Sequence, residues 1–264
     1  MLPQPTPYYH INALLDDLLI QIRAILDDKL VGVYLTGSLV TGDFDADISD
    51  IDLLAAITSD LTETEFSALE RMHSDFVVRY PQWDNRIEVL YYSLHGLRTY
   101  KTERTPIAVI SPGEPFHYRE EQAGIDWLMN WHIILNQGVT LFGPPPNTII
   151  EAATTAEFIE VVRDHALSWP NWLTDDSHRG YQSYAILTLC RAMYAIKYGE
   201  QVSKLRAAEW AANEFPAWAT LIKNALVWRK AAVGSKAQVD HAATLPATRR
   251  FLAFVVEHIS SMNQ

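Results

Sequence analysis

The sequence predicts a mixed α/β domain followed by an all-helical one. Three observations carry that prediction. Residues 10–93 alternate helix-period runs with short apolar or β-branched runs, the pattern of helices laid on a sheet. Residues 139–146, VTLFGPPP, break all regular structure with three consecutive prolines. Beyond them only helix-period patterns remain.

Taken in order, INALLDDLLIQIRAILDDKL places apolar residues at three- and four-residue intervals and reads as an amphipathic helix. VGVYLT (31–36) is a short buried strand, and IDLLAAI (51–57) a second one after an acidic loop. LTETEFSALERMHSDFVVRY is a helix, with Thr62 as N-cap and Glu65 completing a capping box. RIEVLYYS, rich in β-branched and aromatic residues, is a third strand. A helix over about 123–137 ends at Gly138, and the domain boundary is expected near residue 150, giving domains 1–150 and 151–264. The second domain reads as a bundle built from TAEFIEVVRDHALSW, SYAILTLCRAMYAIKYG, SKLRAAEWAANEF, PAWATLIKNALVWRKA and TLPATRRFLAFVVEHISSM. Gly199 is a C-cap and Ser203 an N-cap within it.

Composition narrows the function classes. The chain has 264 residues, 48% of them hydrophobic, which is ample for packed cores. Its net charge of −11, from 21 basic and 32 acidic residues, argues against a nucleic-acid groove and is compatible with a cationic small-molecule ligand. The single cysteine, Cys190, lies in an apolar periodic run, fits a reducing cytoplasmic compartment and reads as a buried structural thiol. No apolar window approaches a membrane span, and the N-terminal residues lack the pattern of a secretory signal. The histidines form no zinc-binding spacing.

The chemistry is concentrated in GSLVTGDFDADISDID (37–52). Asp50 and Asp52 are one residue apart at the start of a strand, so both carboxylates face the same way with Cα atoms roughly 7 Å apart. That geometry suits Mg²⁺, which takes oxygen ligands and shares them with substrate phosphates. Ile51 and Leu53 alternate to the core side. Gly37 lets backbone approach a phosphate closely, and Ser38 adds a hydroxyl and an N–H. Glu88, on the third strand, is placed to join the metal or to take a proton. Asp43, Asp45 and Asp47 have no such phase relation and read as a solvated loop.

Strand, Gly-Ser, eleven residues, Asp-x-Asp on a strand, a helix and then an acid on a third strand is the layout of the nucleotidyltransferase superfamily that includes DNA polymerase β. GSLVTGDFDADISDIDLLAAI with Glu88 resembles, more narrowly, the bacterial aminoglycoside adenylyltransferases of the streptomycin 3″/spectinomycin 9 type. LTLCRAMYAIKYGEQVSKLRAAEWA (187–211) is similar to that type's helical-domain signature, and VTLFGPP (139–145) to its interdomain join. The resemblance implies an enzyme that binds Mg·ATP and passes AMP to a hydroxyl, releasing pyrophosphate. It implies that Gly37 and Ser38, with Ser49, hold the nucleotide phosphates and that Asp50 and Asp52 hold Mg²⁺. It gives Glu88 the general-base role and matches Arg191 and Lys204 to residues that reach the nucleotide. A lysine in a helix's first turn opposes the helix dipole, which is itself a hint of another purpose for Lys204.

Acceptor contacts depart from the family. Its drug-modifying members carry acids just before the Leu-Thr-Leu run, where this chain has SHRGYQSYAI with Arg179, Tyr181 and Tyr184. Asp175 and Asp176 lie a little upstream, and Trp172 matches a tryptophan the family sets beside streptomycin. Trp172, Asp176 and Tyr181 are therefore the expected substrate contacts, the alternative for Trp169 and Trp172 alike being packing between helices. Asp126 matches a family aspartate but reads as a helix cap, and His132 as a packed core histidine. Two other readings keep the fold: a different hydroxyl acceptor, and a nucleotide sensor without catalysis. A monomer suffices for either enzyme reading.

Overall fold

A computed structural model describes residues 4–231 and 240–262. It has two compact units, Met1–Phe44 with Ser49–Ala153, and Asp45–Ile48 with Thr154–Gln264. The chain passes to the helical unit between Ala153 and Thr154; the sequence reading puts the change at 150.

The first unit runs α1 (Tyr9–Leu26), β1 (Leu30–Thr36), α2 (Ser38–Thr41), β2 (Ile51–Ile57), α3 (Glu63–Arg79), β3 (Ile87–Ser93), α4 (Leu94–Thr99), β4 (Ile107–Ser111), β5 (Glu114–Tyr118), α5 (Leu128–Gln137) and β6 (Val139–Phe142). Its strands form one mixed sheet in the order β5-β4-β3-β2-β1-β6. Only β2 and β3 are parallel, because α3 returns the chain over one face of the sheet. The other pairs are antiparallel. Sequence reasoning missed β4, β5 and β6. EPFHY contains a proline and buries only Phe116, so it carries little strand pattern. VTLF reads as a join but pairs along the edge of β1. The helix expected over 123–137 begins with a 3₁₀ turn at Ile125–Trp127. Asp126 caps nothing there; its carboxylate lies 3.0 Å from an Arg104 guanidinium nitrogen.

Period-two alternation divides the sheet into two apolar faces. Val33, Leu35, Leu53, Ala55, Val89 and Tyr91 join Ile11, Leu15, Leu18, Leu69 and Phe76 of α1 and α3 in one core. On the opposite face Tyr34, Leu54 and Tyr92 are buried, and Tyr92 stacks on Trp131 of α5 at 5.2 Å. The residues at the end of that second face are polar, and the candidate site is built there.

His73 on α3 is buried in the first core, its Nε2 2.9 Å from the Tyr91 hydroxyl. Burial pushes its pKa from 6.5 down to about 4. Folded His73 therefore stays neutral where the unfolded chain protonates it. Its contribution to stability is complete above pH 6.5 and is lost as pH falls toward 4, roughly 3 kcal/mol in all. Thermal melts between these limits should fall more steeply for the wild type than for His73→Leu; equal slopes would exclude this account.

The second unit contains α6 (Thr155–Ser168), α7 (Arg179–Tyr198), α8 (Lys204–Glu214), α9 (Ala219–Ala231) and α10 (Leu245–Ser261). Helix α7 is apolar on nearly every side and is buried from Gln182 to Ile196 apart from Tyr184 and Arg191, so its neighbours pack around it. Gly199 ends it at φ +70°. Ser203 Oγ accepts the Arg206 N–H and caps α8. Cys190 is fully buried, and burial raises its thiol pKa.

Gln182, 0% exposed, satisfies all its polar capacity within the bundle. Its Nε2 donates to the Ser177 and His241 carbonyls, each at 2.9 Å. Its Oε1 accepts from Thr244 at 2.8 Å and Thr248 at 3.0 Å. Gln182→Leu keeps the volume but takes a partner from four groups, two of them, the Ser177 carbonyl and the Thr248 hydroxyl, in buried bonds, and should cost roughly 2–4 kcal/mol in urea unfolding. A loss under about 0.5 kcal/mol would show that water or local shifts replace the network.

Candidate active site

Register assembles the first locus. Thr36 at the end of β1 pairs with Asp52, and Asp52 pairs with Glu88 on β3. Directly paired residues project to the same face, so Thr36, Asp52 and Glu88 form one row across three strands. Cα atoms in such a row are about 5 Å apart. Asp50 lies immediately before β2, two residues from Asp52, and so shares its phase. All three carboxylates are half-buried.

Gly37 follows β1 with φ +69°. A Cβ there would collide with the Asp52 carboxylate, so glycine is required by both backbone and space. The close approach sets the Asp52 side chain against the Gly37-Ser38 turn. Ser38 begins the single turn of α2, and its Oγ is buried without a hydrogen-bond partner. A buried hydroxyl in that condition is a group awaiting an acceptor.

Asp50, Asp52 and Glu88 offer only carboxylate oxygens, the chemistry of Mg²⁺ rather than of zinc. Among the described residues, no three His, Cys, Asp or Glu side chains gather closely enough to hold an ion by themselves. Adjacent strands project their side chains alongside one another instead of inward, which explains why three like charges do not converge. Mg²⁺ is ordinarily held by one or two carboxylates with substrate phosphates completing its shell, and the row fits that arrangement.

Ser49 is buried, and its carbonyl accepts from Arg86. Sequence reasoning missed Arg86, because one arginine ahead of a strand reads as an edge charge. Asp45 also departs from expectation. It belongs with the helical unit, accepts the Asp47 N–H at 3.1 Å and lies 3.3 Å from Lys230 Nζ. That backbone hydrogen bond, with Lys230, holds its carboxyl below the usual range. It is therefore not simply solvated.

A second locus lies within the helical unit. Trp169, buried, touches Trp172 at 5.2 Å, Tyr181 at 5.8 Å and Tyr184 at 5.6 Å between ring centroids. Trp172 and Tyr184 are 44% and 46% exposed, so the cluster presents aromatic faces to solvent. Lys204 Nζ lies 5.2 Å from the Tyr184 ring centre, a cation–π pair that gives this first-turn lysine a partner. His165 packs on Trp172 at 5.3 Å, and its pKa is lowered by burial and then by the Arg191 charge. The fold thus gathers Trp172, Tyr181, Arg191 and Lys204 around one aromatic cluster.

Asp176 is exposed on the neighbouring turn and makes no ion pair or ring contact with that cluster among the described residues. Asp175 pairs with Arg249 at 2.6 Å. Arg179 is engaged by the bundle, donating to the Asp240 carbonyl and stacking on Trp228. His132 is half-buried rather than a core residue.

Comparison with known proteins places these loci in two recognised domains. Residues 19–131 match the nucleotidyltransferase domain family. Residues 148–256 match the family described as aminoglycoside adenylyltransferase, C-terminal domain. No curated protein matches the chain. Among solved structures, the chain is similar to spectinomycin adenyltransferase AAD(9) from Enterococcus faecialis, determined with ATP and spectinomycin. The two share 15% sequence identity at a TM-score of 0.70, over 91% of this chain and 98% of that one. At that identity the likeness establishes a common fold.

Proposed function

Because this chain is an enzyme of the aminoglycoside adenylyltransferase type, we propose that it passes AMP from ATP to a hydroxyl of an aminoglycoside or aminocyclitol antibiotic and releases pyrophosphate. The observation that carries the reading is the Thr36–Asp52–Glu88 row with Gly37 closed against Asp52.

Asp50 and Asp52 are the carboxylates assigned to Mg²⁺, with Glu88 beside them. When bound, the ion would offset the charge on the nucleotide phosphates. Gly37 lets the backbone approach a phosphate, and the orphaned Ser38 hydroxyl donates to one of its oxygens. Ser49 is assigned to the nucleotide with them. Glu88 accepts the proton of the attacking hydroxyl on a carboxylate oxygen, since a sugar hydroxyl is a poor nucleophile at neutral pH. Arg191 and Lys204 are the cations assigned to the nucleotide. ATP is the assigned nucleotide, supported by the ligand of the similar solved structure.

Trp172 and Tyr181 are assigned to the acceptor as apolar faces for a rigid ring system, and Asp176 as an acid at its edge. The net charge of −11 favours a cationic acceptor over an anionic one. The single buried thiol fits a reducing, cytoplasmic compartment and the acidic balance disfavours a nucleic-acid partner; a monomer with no membrane partner suffices for this reading. Among the described residues no helix is long and apolar enough to cross a membrane.

The test is pyrophosphate release from Mg·ATP against a panel of aminoglycosides and aminocyclitols, each product weighed for one added AMP. Release that depends on a drug supports the reading. Tight ATP binding with silence across the panel would assign the chemistry to another acceptor, and ATP turnover without any acceptor would remove the antibiotic from the account.

Gly37→Ala places a methyl group on the Asp52 carboxylate and strains a positive φ. It should lower stability by about 1–3 kcal/mol and weaken ATP binding in calorimetry. Wild-type ATP affinity in that variant would show that the phosphates lie elsewhere.

A further inference from the structure

We propose that Arg86 is a positioning residue, one that sets the Asp50 carboxylate by gripping the backbone on both sides of it. The proposal rests on the adenylyltransferase reading of the row.

Arg86 precedes β3 and reaches across to the chain ahead of β2. Its Nε donates to the Ser49 carbonyl at 3.0 Å, and its Nη2 donates to the same oxygen. Its own carbonyl accepts the Ile51 N–H at 2.9 Å. The residues before and after Asp50 are therefore both bonded to Arg86, one through the side chain and one through the backbone. With both flanking peptide groups held, little freedom remains in the direction of the Asp50 Cα–Cβ bond.

The grip is itself supported. The guanidinium carbon lies 4.5 Å from the ring centre of Trp83, which is buried. The Arg86 N–H donates to the Trp83 carbonyl at 3.1 Å, and Nη1 reaches the Gln82 carbonyl at 3.5 Å. A planar fork that stacks on indole while two of its donors share one oxygen is a task for arginine; lysine offers a point charge without the plane.

The place of the grip matters. Residues Asp45–Ile48 belong to the helical unit, and Ser49 is the first residue back in the sheet-bearing one. Ser49 is 1% exposed, so its carbonyl needs a protein partner. Arg86 fills that need at the point where the loop ends and the carboxylate pair begins. Side chains that orient a metal-binding group from behind typically change affinity or activity 10–100-fold when removed.

Arg86→Met keeps the stem and removes the donors. Mn²⁺ binding, followed by electron paramagnetic resonance with a non-hydrolysable ATP analogue present, should weaken about 10–100-fold. The kcat should fall alongside it, while the KM for the acceptor holds and circular dichroism shows the native helix content. Arg86→Lys should recover part of the loss. Mn²⁺ affinity and kcat within about twofold of wild type in Arg86→Met would overturn the proposal. Should that variant fail to fold, Arg86→Gln removes the same grip and is judged by the same criterion. A wild-type chain that binds Mn²⁺ but transfers no AMP sinks the functional reading alone, and the Mn²⁺ affinities still decide for or against Arg86. A wild type that binds no Mn²⁺ overturns both.

Discussion

Asp52→Asn is expected to reduce AMP transfer roughly 10²–10³-fold, the scale seen when one fixed electrostatic group is taken from a transition state. The substitution is close to isosteric, so the contact with Gly37 survives and the melting temperature should hardly move. Asp52 occupies the centre of the row, paired with Thr36 on one side and Glu88 on the other. Neutralising it removes charge from the middle strand of the three that carry the row. The measurement is kcat with saturating Mg·ATP and acceptor, set beside Mn²⁺ affinity. A loss smaller than roughly tenfold would mean that the metal-binding carboxylate lies elsewhere.

The second large effect is expected from Glu88→Gln. Removing a general base should cost about 10²–10⁴-fold in kcat. Amide and carboxylate have nearly the same shape, so ATP binding measured by calorimetry should persist. The two variants are thus distinguished: Asp52→Asn weakens the metal, whereas Glu88→Gln spares the metal and nucleotide but slows proton removal. Unchanged turnover in Glu88→Gln would take the base role away from this residue, and loss of ATP binding in it would make Glu88 chiefly a ligand.

The site of these predictions was legible to different depths. Asp50, Asp52 and Glu88 are legible because strand alternation and the strand–helix–strand crossover dictate which face each side chain takes. IDLLAAI and RIEVLYYS announce themselves as strands, and the parallel register follows once α3 is recognised. Gly37 is legible as a close-approach residue, but the group it approaches is not. That this group is Asp52 depends on the antiparallel pairing of β1 with β2, a long-range register that no local pattern encodes.

Arg86 shows the same limit more sharply. Its function rests on a carbonyl, and the sequence carries no sign of which backbone oxygen a side chain will meet. The strands β5 and β6 escaped for a related reason. These edge strands are stabilised by pairing rather than by their own pattern, and EPFHY buries one side chain only. IAVIS of β4, by contrast, is β-branched and mostly buried, and was simply passed over as too short a run. In the helical unit, capping and periodicity placed the helices well. The aromatic cluster around Trp169 was harder to see, because SWPNW and GYQSY lie on different elements and meet only when α6 and α7 pack.

The central claim is that the row transfers an adenylyl group rather than a phosphoryl group. Two parallel reactions test it, one with ATP radiolabelled at the α-phosphate and one with the label at the γ-phosphate, each with the antibiotic that the panel identifies. The account predicts that the α-label moves onto the antibiotic and the γ-label leaves in pyrophosphate. Finding the γ-label on the antibiotic, with the α-label remaining in ADP, would contradict it.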